Sequence, residues 1–204
     1  MVNYNYNNNL SLKEKILEYL IENKEKAKTI REISIYLKVD YKNTFQAVKN
    51  IYPNLISKDK IGNLNLVRIK LISNPEIFSI EYKRTIKFLE RNKQLRLIQD
   101  DTNSIDYPFF IILIFGSYAN ETKTKKSDID LCIICDNEAK KKELISKFSL
   151  LPLKLEIHDF KVSEFESMLD TKKENIAKEI IKNNIILYGI DNYYNLISKW
   201  MKKE

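Results

Sequence analysis

Two carboxylates two residues apart, Asp128 and Asp130, follow Gly116-Ser117 after ten intervening residues. In an extended strand, side chains alternate between faces, so both aspartates point one way and Ile129 points the other. Side-by-side carboxylates repel unless a cation lies between them. A hard divalent ion with oxygen ligands answers that need, and Mg²⁺ carrying nucleotide phosphates suits it best. Gly116 lets the backbone approach a ligand closely or take a positive φ. A helical turn opening at Ser117 would offer free N–H groups to a phosphate, and the hydroxyl adds a donor. The plain alternative is a solvated strand start after an ordinary turn. The chain has only three glycines, at 62, 116 and 189, and one placed at the end of an apolar strand favours the ligand-binding reading.

The elements that must position these groups are legible around them. Residues 109–115 and 131–135 are apolar runs that read as buried strands. Residues 138–148 predict a lysine-rich helix. Residues 153–158 alternate and read as a third strand, with Glu156 and His158 on one face and Asp159 on the other. Cys132 and Cys135 form a C-x-x-C string, but inside a buried strand they face opposite sides. With no second pair and one histidine, they read as small core residues rather than zinc or redox ligands.

The pattern Gly116, Ser117, Asp128, Asp130 between two strands resembles the DNA polymerase beta-like nucleotidyltransferase superfamily, and within it the minimal nucleotidyltransferases, over about residues 105–204. The resemblance implies that Asp128 and Asp130 hold two Mg²⁺ ions and that Gly116 and Ser117 cradle the phosphates of a nucleoside triphosphate, expected to be ATP. It implies a third carboxylate from the neighbouring strand as metal ligand or base. Glu156 is the matching position, with Asp159 second. Many relatives carry Asp there. Many also have Arg-Gly where this chain has Asn120-Glu121, so a basic phosphate contact is absent unless Lys123, Lys125 or Lys126 replaces it. Leu187-Tyr188-Gly189 also occurs in the order seen in relatives. His158 could touch a phosphate or the base of the site, or be hydrogen-bonded at the sheet end.

Composition bounds the rest. The 204 residues allow one or two domains, and 44% hydrophobic content supplies a core. No run of apolar residues is long enough to span a membrane, and the Asn- and Tyr-rich start lacks signal-peptide character, so a cytoplasmic protein is expected. The net charge of +7 favours nucleic acid or nucleotide phosphates, or reflects biased coding. It is concentrated early: residues 1–72 hold 13 Lys/Arg against 7 Asp/Glu, and the remaining residues 22 against 21.

After a flexible tail at 1–10, Ser11-x-x-Glu14 is a capping box opening a helix through Ile16, Leu17, Leu20 and Ile21. Thr29-x-x-Glu32 opens a short second helix. Asp40 caps a third through Thr44, Phe45, Val48 and Ile51. Residues 56–61 and 64–69 flank Gly62-Asn63, a hairpin signal. Three helices and a basic hairpin resemble a winged helix-turn-helix over residues 11–72. That resemblance implies a third helix in the DNA major groove, read by Tyr41, Lys42, Asn43, Gln46 and Lys49, with Lys58 and Lys60 on the wing. Protein docking is the competing use, and RNA a third. Residues 73–104 predict a linking helix from Asn74-Pro75 through about 98, packed on either domain or on a second copy in a homodimer, then a polar loop. Ser163-x-x-Glu166 and Thr171-x-x-Glu174 predict two late capping boxes, and Asp191 a cap for the closing helix.

The expected fold class is therefore α+β: a winged helix, a linking helix, and a mixed nucleotidyltransferase-type sheet with flanking helices at 105–204. The expected activity is transfer of a nucleoside monophosphate from a triphosphate to a hydroxyl, on a protein acceptor or toxin partner among other acceptors. The alternative is a DNA-binding regulator or antitoxin-like protein that senses a nucleotide without turnover.

Overall fold

Short polar residues at helix starts organise the N-terminal third of the chain. The computed structural model describes residues 10–62, 64–124 and 127–201. The tail at 1–9, the turn residue Asn63, and Lys125 and Lys126 lie outside the described residues. The chain divides into two units, Met1–Lys70 and Leu71–Glu204.

In the first unit, the Ser11 hydroxyl accepts the Glu14 N–H at 3.3 Å and the Glu14 carboxylate accepts the Ser11 N–H at 2.8 Å. This reciprocal cap satisfies donors that the helix leaves unpaired and opens α1 (Leu12–Glu22). A two-residue strand, β1 (Lys28–Thr29), runs into the second capping box and α2 (Ile30–Leu37). Lys38 ends α2 with φ at 55°, in the left-handed region. Asp40 then accepts the Asn43 N–H at 2.9 Å and opens α3 (Tyr41–Ile51). β2 (Ile56–Ile61) and β3 (Leu64–Ile69) form an antiparallel hairpin, and the sheet order is β1-β3-β2. Ile16, Leu20, Ile33, Val48, Ile56 and Val67 are buried together with their neighbours as its core. Phe45 departs from the expected core stripe. It is 37% exposed and stacks on Tyr41 at 6.1 Å.

In the second unit, Asn74 caps α4 (Pro75–Arg91) by accepting the Glu76 N–H at 2.8 Å. The single helix expected through residue 98 is interrupted. Asn92, only 5% exposed, turns its side-chain amide onto the Phe88 carbonyl at 2.9 Å and ends α4. A 3-10 turn at Lys93–Leu95 and α5 (Arg96–Asn103) follow, so much of the expected polar loop is helical. Then come β4 (Ile111–Ile114), the one-turn α6 (Gly116–Ala119), β5 (Ile129–Ile134), α7 (Glu138–Phe148), β6 (Leu155–Phe160), α8 (Val162–Asp170), α9 (Ile176–Lys182), β7 (Ile185–Tyr188) and α10 (Ile190–Met201).

The four strands lie in the order β6-β5-β4-β7, with β5 and β6 parallel and the other pairs antiparallel. Ile129, Leu131 and Ile133 alternate onto one face, where they pack with Leu95 of the 3-10 turn, Ile98 of α5, and Leu144 and Phe148 of α7. The outer edge strand β7 is dressed by side chains of α4 and α5. Thr85 donates to the Ile186 carbonyl at 2.7 Å, and Gln99 donates to that of Leu187 at 2.9 Å. Gly189 sits where β7 turns into α10. An added Cβ there would lie 2.1 Å from the Phe110 carbonyl oxygen.

Three predicted caps move. The α8 start is secured by Asp136, which accepts the Val162 N–H at 2.9 Å, and by Glu164, which accepts the Lys161 N–H at 2.8 Å; Ser163 already lies inside the helix. α9 is capped by Asn175, not Thr171, and α10 begins before Asp191. Among the described residues no helix is long and apolar enough to cross a membrane.

Candidate active site

The parallel pairing of β5 with β6 assembles the site. Its register sets Asp130 opposite Glu156 and Cys132 opposite His158. Residues two apart on a strand share a face, so Asp130, Glu156 and His158 converge. One carboxylate oxygen from each acid and one imidazole nitrogen lie within 4.8 Å of one another. His158 Nε2 stands 3.4 Å from Glu156 Oε1, with the Phe115 ring against the imidazole at 5.4 Å between centroids. Glu156 is 59% exposed and His158 26%.

Gly116 is built into this arrangement. Its φ is +62°, and an added Cβ would lie 2.1 Å from Asp130 Oδ2. The Phe115 N–H donates to the Asp130 carbonyl at 3.1 Å, which fastens the strand end to the acid. Partial burial raises the Asp130 pKa above the usual carboxylate range, and the Glu156 charge adds to the rise. The His158 ring and N–H donation from Ser117 and from Asp130 itself offset part of it. Asp128 directly precedes β5, is exposed, and lies outside the close cluster. Asp159 faces the other side and pairs with Lys141 of α7 at 2.9 Å. Cys132 and Cys135 are buried free thiols on opposite faces, and burial pushes the Cys132 thiol up.

The loop between Gly116-Ser117 and β5 is tied to the C-terminal end of α4. Arg91 pairs with Glu121 at 2.6 Å, both side chains exposed. The Lys123 ammonium binds the Asn92 side-chain oxygen and lies 4.3 Å from the Tyr118 ring centroid. Lys123 is thus engaged as a tether in this structure. Glu121 itself has φ at 56°, a conformation in which glycine is relaxed and other residues are strained. Neither tether was foreseen, because the contacts cross some thirty residues and leave no local pattern. His158 did leave a signal, its two-residue spacing from Glu156.

The donor set of two carboxylates and an imidazole suits a divalent ion, and the missing Cβ at Gly116 leaves room for the Asp130 carboxylate itself. The residues present therefore fit a metal–nucleotide complex.

A second candidate surface lies on the first unit. Tyr41, Lys42, Gln46 and Lys49 of α3 and Lys58 and Lys60 of β2 are exposed. Lys58 lies 5.7 Å from the Phe45 ring centroid, so hairpin and helix contribute to one cationic and aromatic surface. Asn43 is also exposed, but its side chain is occupied by the Asp40 cap at 2.5 Å.

Residues 106–193 match the family model described as "Polymerase beta, Nucleotidyltransferase". A curated relative, "Putative protein adenylyltransferase MJ1547" of Methanocaldococcus jannaschii, is 29% identical over 100 residues, covering 47% of this chain and 72% of the relative. A solved structure described as "Crystal structure of the toxin-antitoxin with AMP-PNP" aligns at 20% identity with a TM-score of 0.32, covering 55% of this chain and 86% of that one. Between Asp106 and Tyr193 the chain is thus similar to polymerase beta-like nucleotidyltransferases.

Proposed function

We propose that the second unit transfers AMP from ATP to a hydroxyl on a protein: the acceptor oxygen bonds to the α-phosphorus, the bond to the β-phosphate breaks, and pyrophosphate leaves, with divalent ions held by Asp128, Asp130 and Glu156. The observation that carries this reading is the meeting of Asp130 and Glu156 on adjacent strands beside a glycine with no room for a side chain. Bound there, the ions would acidify the attacking hydroxyl and offset the charge of the triphosphate. Asp130 is the fixed member, held by its strand and by the Ser117 N–H. Glu156 is exposed enough to meet an acceptor and take its proton. Gly116 and Ser117 would line the phosphate path. Catalysis of this kind is chiefly positioning and charge stabilisation. The protein acceptor is supported by the adenylyltransferase relative.

The test is transfer of label from ATP to protein in the presence of Mg²⁺ or Mn²⁺. Transfer should fall on the order of 10²-fold or more in Asp130→Asn, a larger loss than supporting residues give. The second reading is nucleotide sensing without turnover. Asn120 and Glu121, which place no cation on the loop's first turn, favour it. Saturable ATP binding with no transfer to any protein would select it.

For the first unit, the proposal is a winged helix-turn-helix that binds DNA through Tyr41, Lys42, Asn43, Gln46, Lys49, Lys58 and Lys60. Three helices, an antiparallel hairpin and the exposed lysines support it. Aromatic Tyr41 and Phe45 on the same helix also suit a protein partner.

A further inference from the structure

We infer that His158 is a metal ligand, and that it turns the site from an all-oxygen Mg²⁺ site into a mixed oxygen–nitrogen site preferring Mn²⁺. The inference rests on the nucleotidyltransferase reading and deepens it. Three features of the site support it. First, the spacing fits coordination. Metal–ligand bonds of about 2.1 Å at tetrahedral to octahedral angles put neighbouring donor atoms roughly 3.0–3.4 Å apart. His158 Nε2 and Glu156 Oε1 are separated by 3.4 Å, and the Asp130 oxygen completes a group within 4.8 Å. Second, 3.4 Å is longer than the roughly 2.7–2.9 Å of a tight charge-assisted hydrogen bond. The imidazole and Glu156 face each other without closing on each other. Third, the ring is positioned. Register sets His158 on the Asp130 face, and the Phe115 ring packs against it.

The exposed Asp128 lies outside this close group. The triad therefore offers two oxygens and one nitrogen. Mg²⁺ prefers oxygen ligands in near-ideal octahedral geometry, whereas imidazole nitrogen raises affinity for ions of the first transition series. Mn²⁺ accepts both donor types.

The chain has one histidine, which makes the test unambiguous. Untagged full-length protein, labelled with ¹⁵N only at histidine, is loaded with Mn²⁺ and a non-hydrolysable ATP analogue. Electron spin-echo spectroscopy should show a directly bound imidazole nitrogen whose coupling changes between ¹⁴N and ¹⁵N samples. By titration calorimetry, His158→Ala should weaken Mn²⁺ binding by roughly tenfold or more and Mg²⁺ binding by less than about twofold. Bound Mn²⁺ without nitrogen coupling overturns this inference and leaves the transferase reading standing. Failure to bind either ion, with the analogue present, overturns that reading and this inference with it.

Discussion

At Gly116 the backbone is folded left-handed and the Asp130 carboxylate occupies the space of a side chain. Alanine there would cost about 1–2 kcal/mol in backbone strain and would also push Asp130 aside. We expect Gly116→Ala to stay folded by circular dichroism while label transfer from ATP falls on the order of 10²-fold. Lys141 allows a second prediction. Burial opposes its charge, but the carboxylates of Asp159 and Glu138 outweigh that and raise its pKa above the ordinary lysine value. A base whose folded pKa is raised contributes stability below its unfolded pKa and loses that contribution as pH climbs through the folded value. Lys141→Met should therefore lose about 1–2 kcal/mol in urea unfolding at pH 7, because Lys141 is 6% exposed and Asp159 partly solvated. The gap to the parent should close in the alkaline range. At this scale the direction of Asp130 could be read from alternation along its strand, whereas Gly116, Ser117 and Glu156 were legible as positions that match the nucleotidyltransferase pattern. That Asp128 lies outside the close triad was not legible, and His158 was marked only by its two-residue spacing from Glu156, since the register of β5 on β6 decides which groups meet.

The helices show where local chemistry ends and long-range contact begins. The capping boxes at Ser11 and Thr29 act within three residues, and both helices start where their sequence predicts. The α8 start is held by the local Glu164 and by Asp136, and the second, distant in sequence, leaves no local pattern. Likewise, apolar residues continue past residue 91, yet α4 stops because buried Asn92 bonds both Phe88 and Lys123. Asn92→Ala should remove this junction, cost about 1–3 kcal/mol by leaving buried groups unpaired, and raise KM for ATP by loosening the loop that Lys123 tethers. Steady-state kinetics beside urea unfolding would separate the two effects. Lys38, left-handed at the end of α2 and exposed, should gain up to about 1 kcal/mol on replacement by glycine, measurable as a raised midpoint of the first unit.

On the scale of the molecule, charge separates the units. The positive excess belongs to the early residues, and the exposed lysines of α3 and β2 gather part of it on one surface. If that surface binds DNA, the logarithm of affinity should fall linearly with the logarithm of salt, and Lys49→Ala should reduce the slope by about 0.9. A partner bound with no salt dependence would instead point to the aromatic pair. The sheet carries a separate consequence for how the second unit can be isolated. Residues 106–193 match the family model, but the carbonyls on the β7 flank are met by Thr85 and Gln99, which precede that match. A fragment trimmed to the matched residues would present bare strand backbone to its neighbours, and such an edge templates chain-to-chain pairing. It should precipitate or form fibres on concentration, whereas one beginning at Leu71 should stay dispersed.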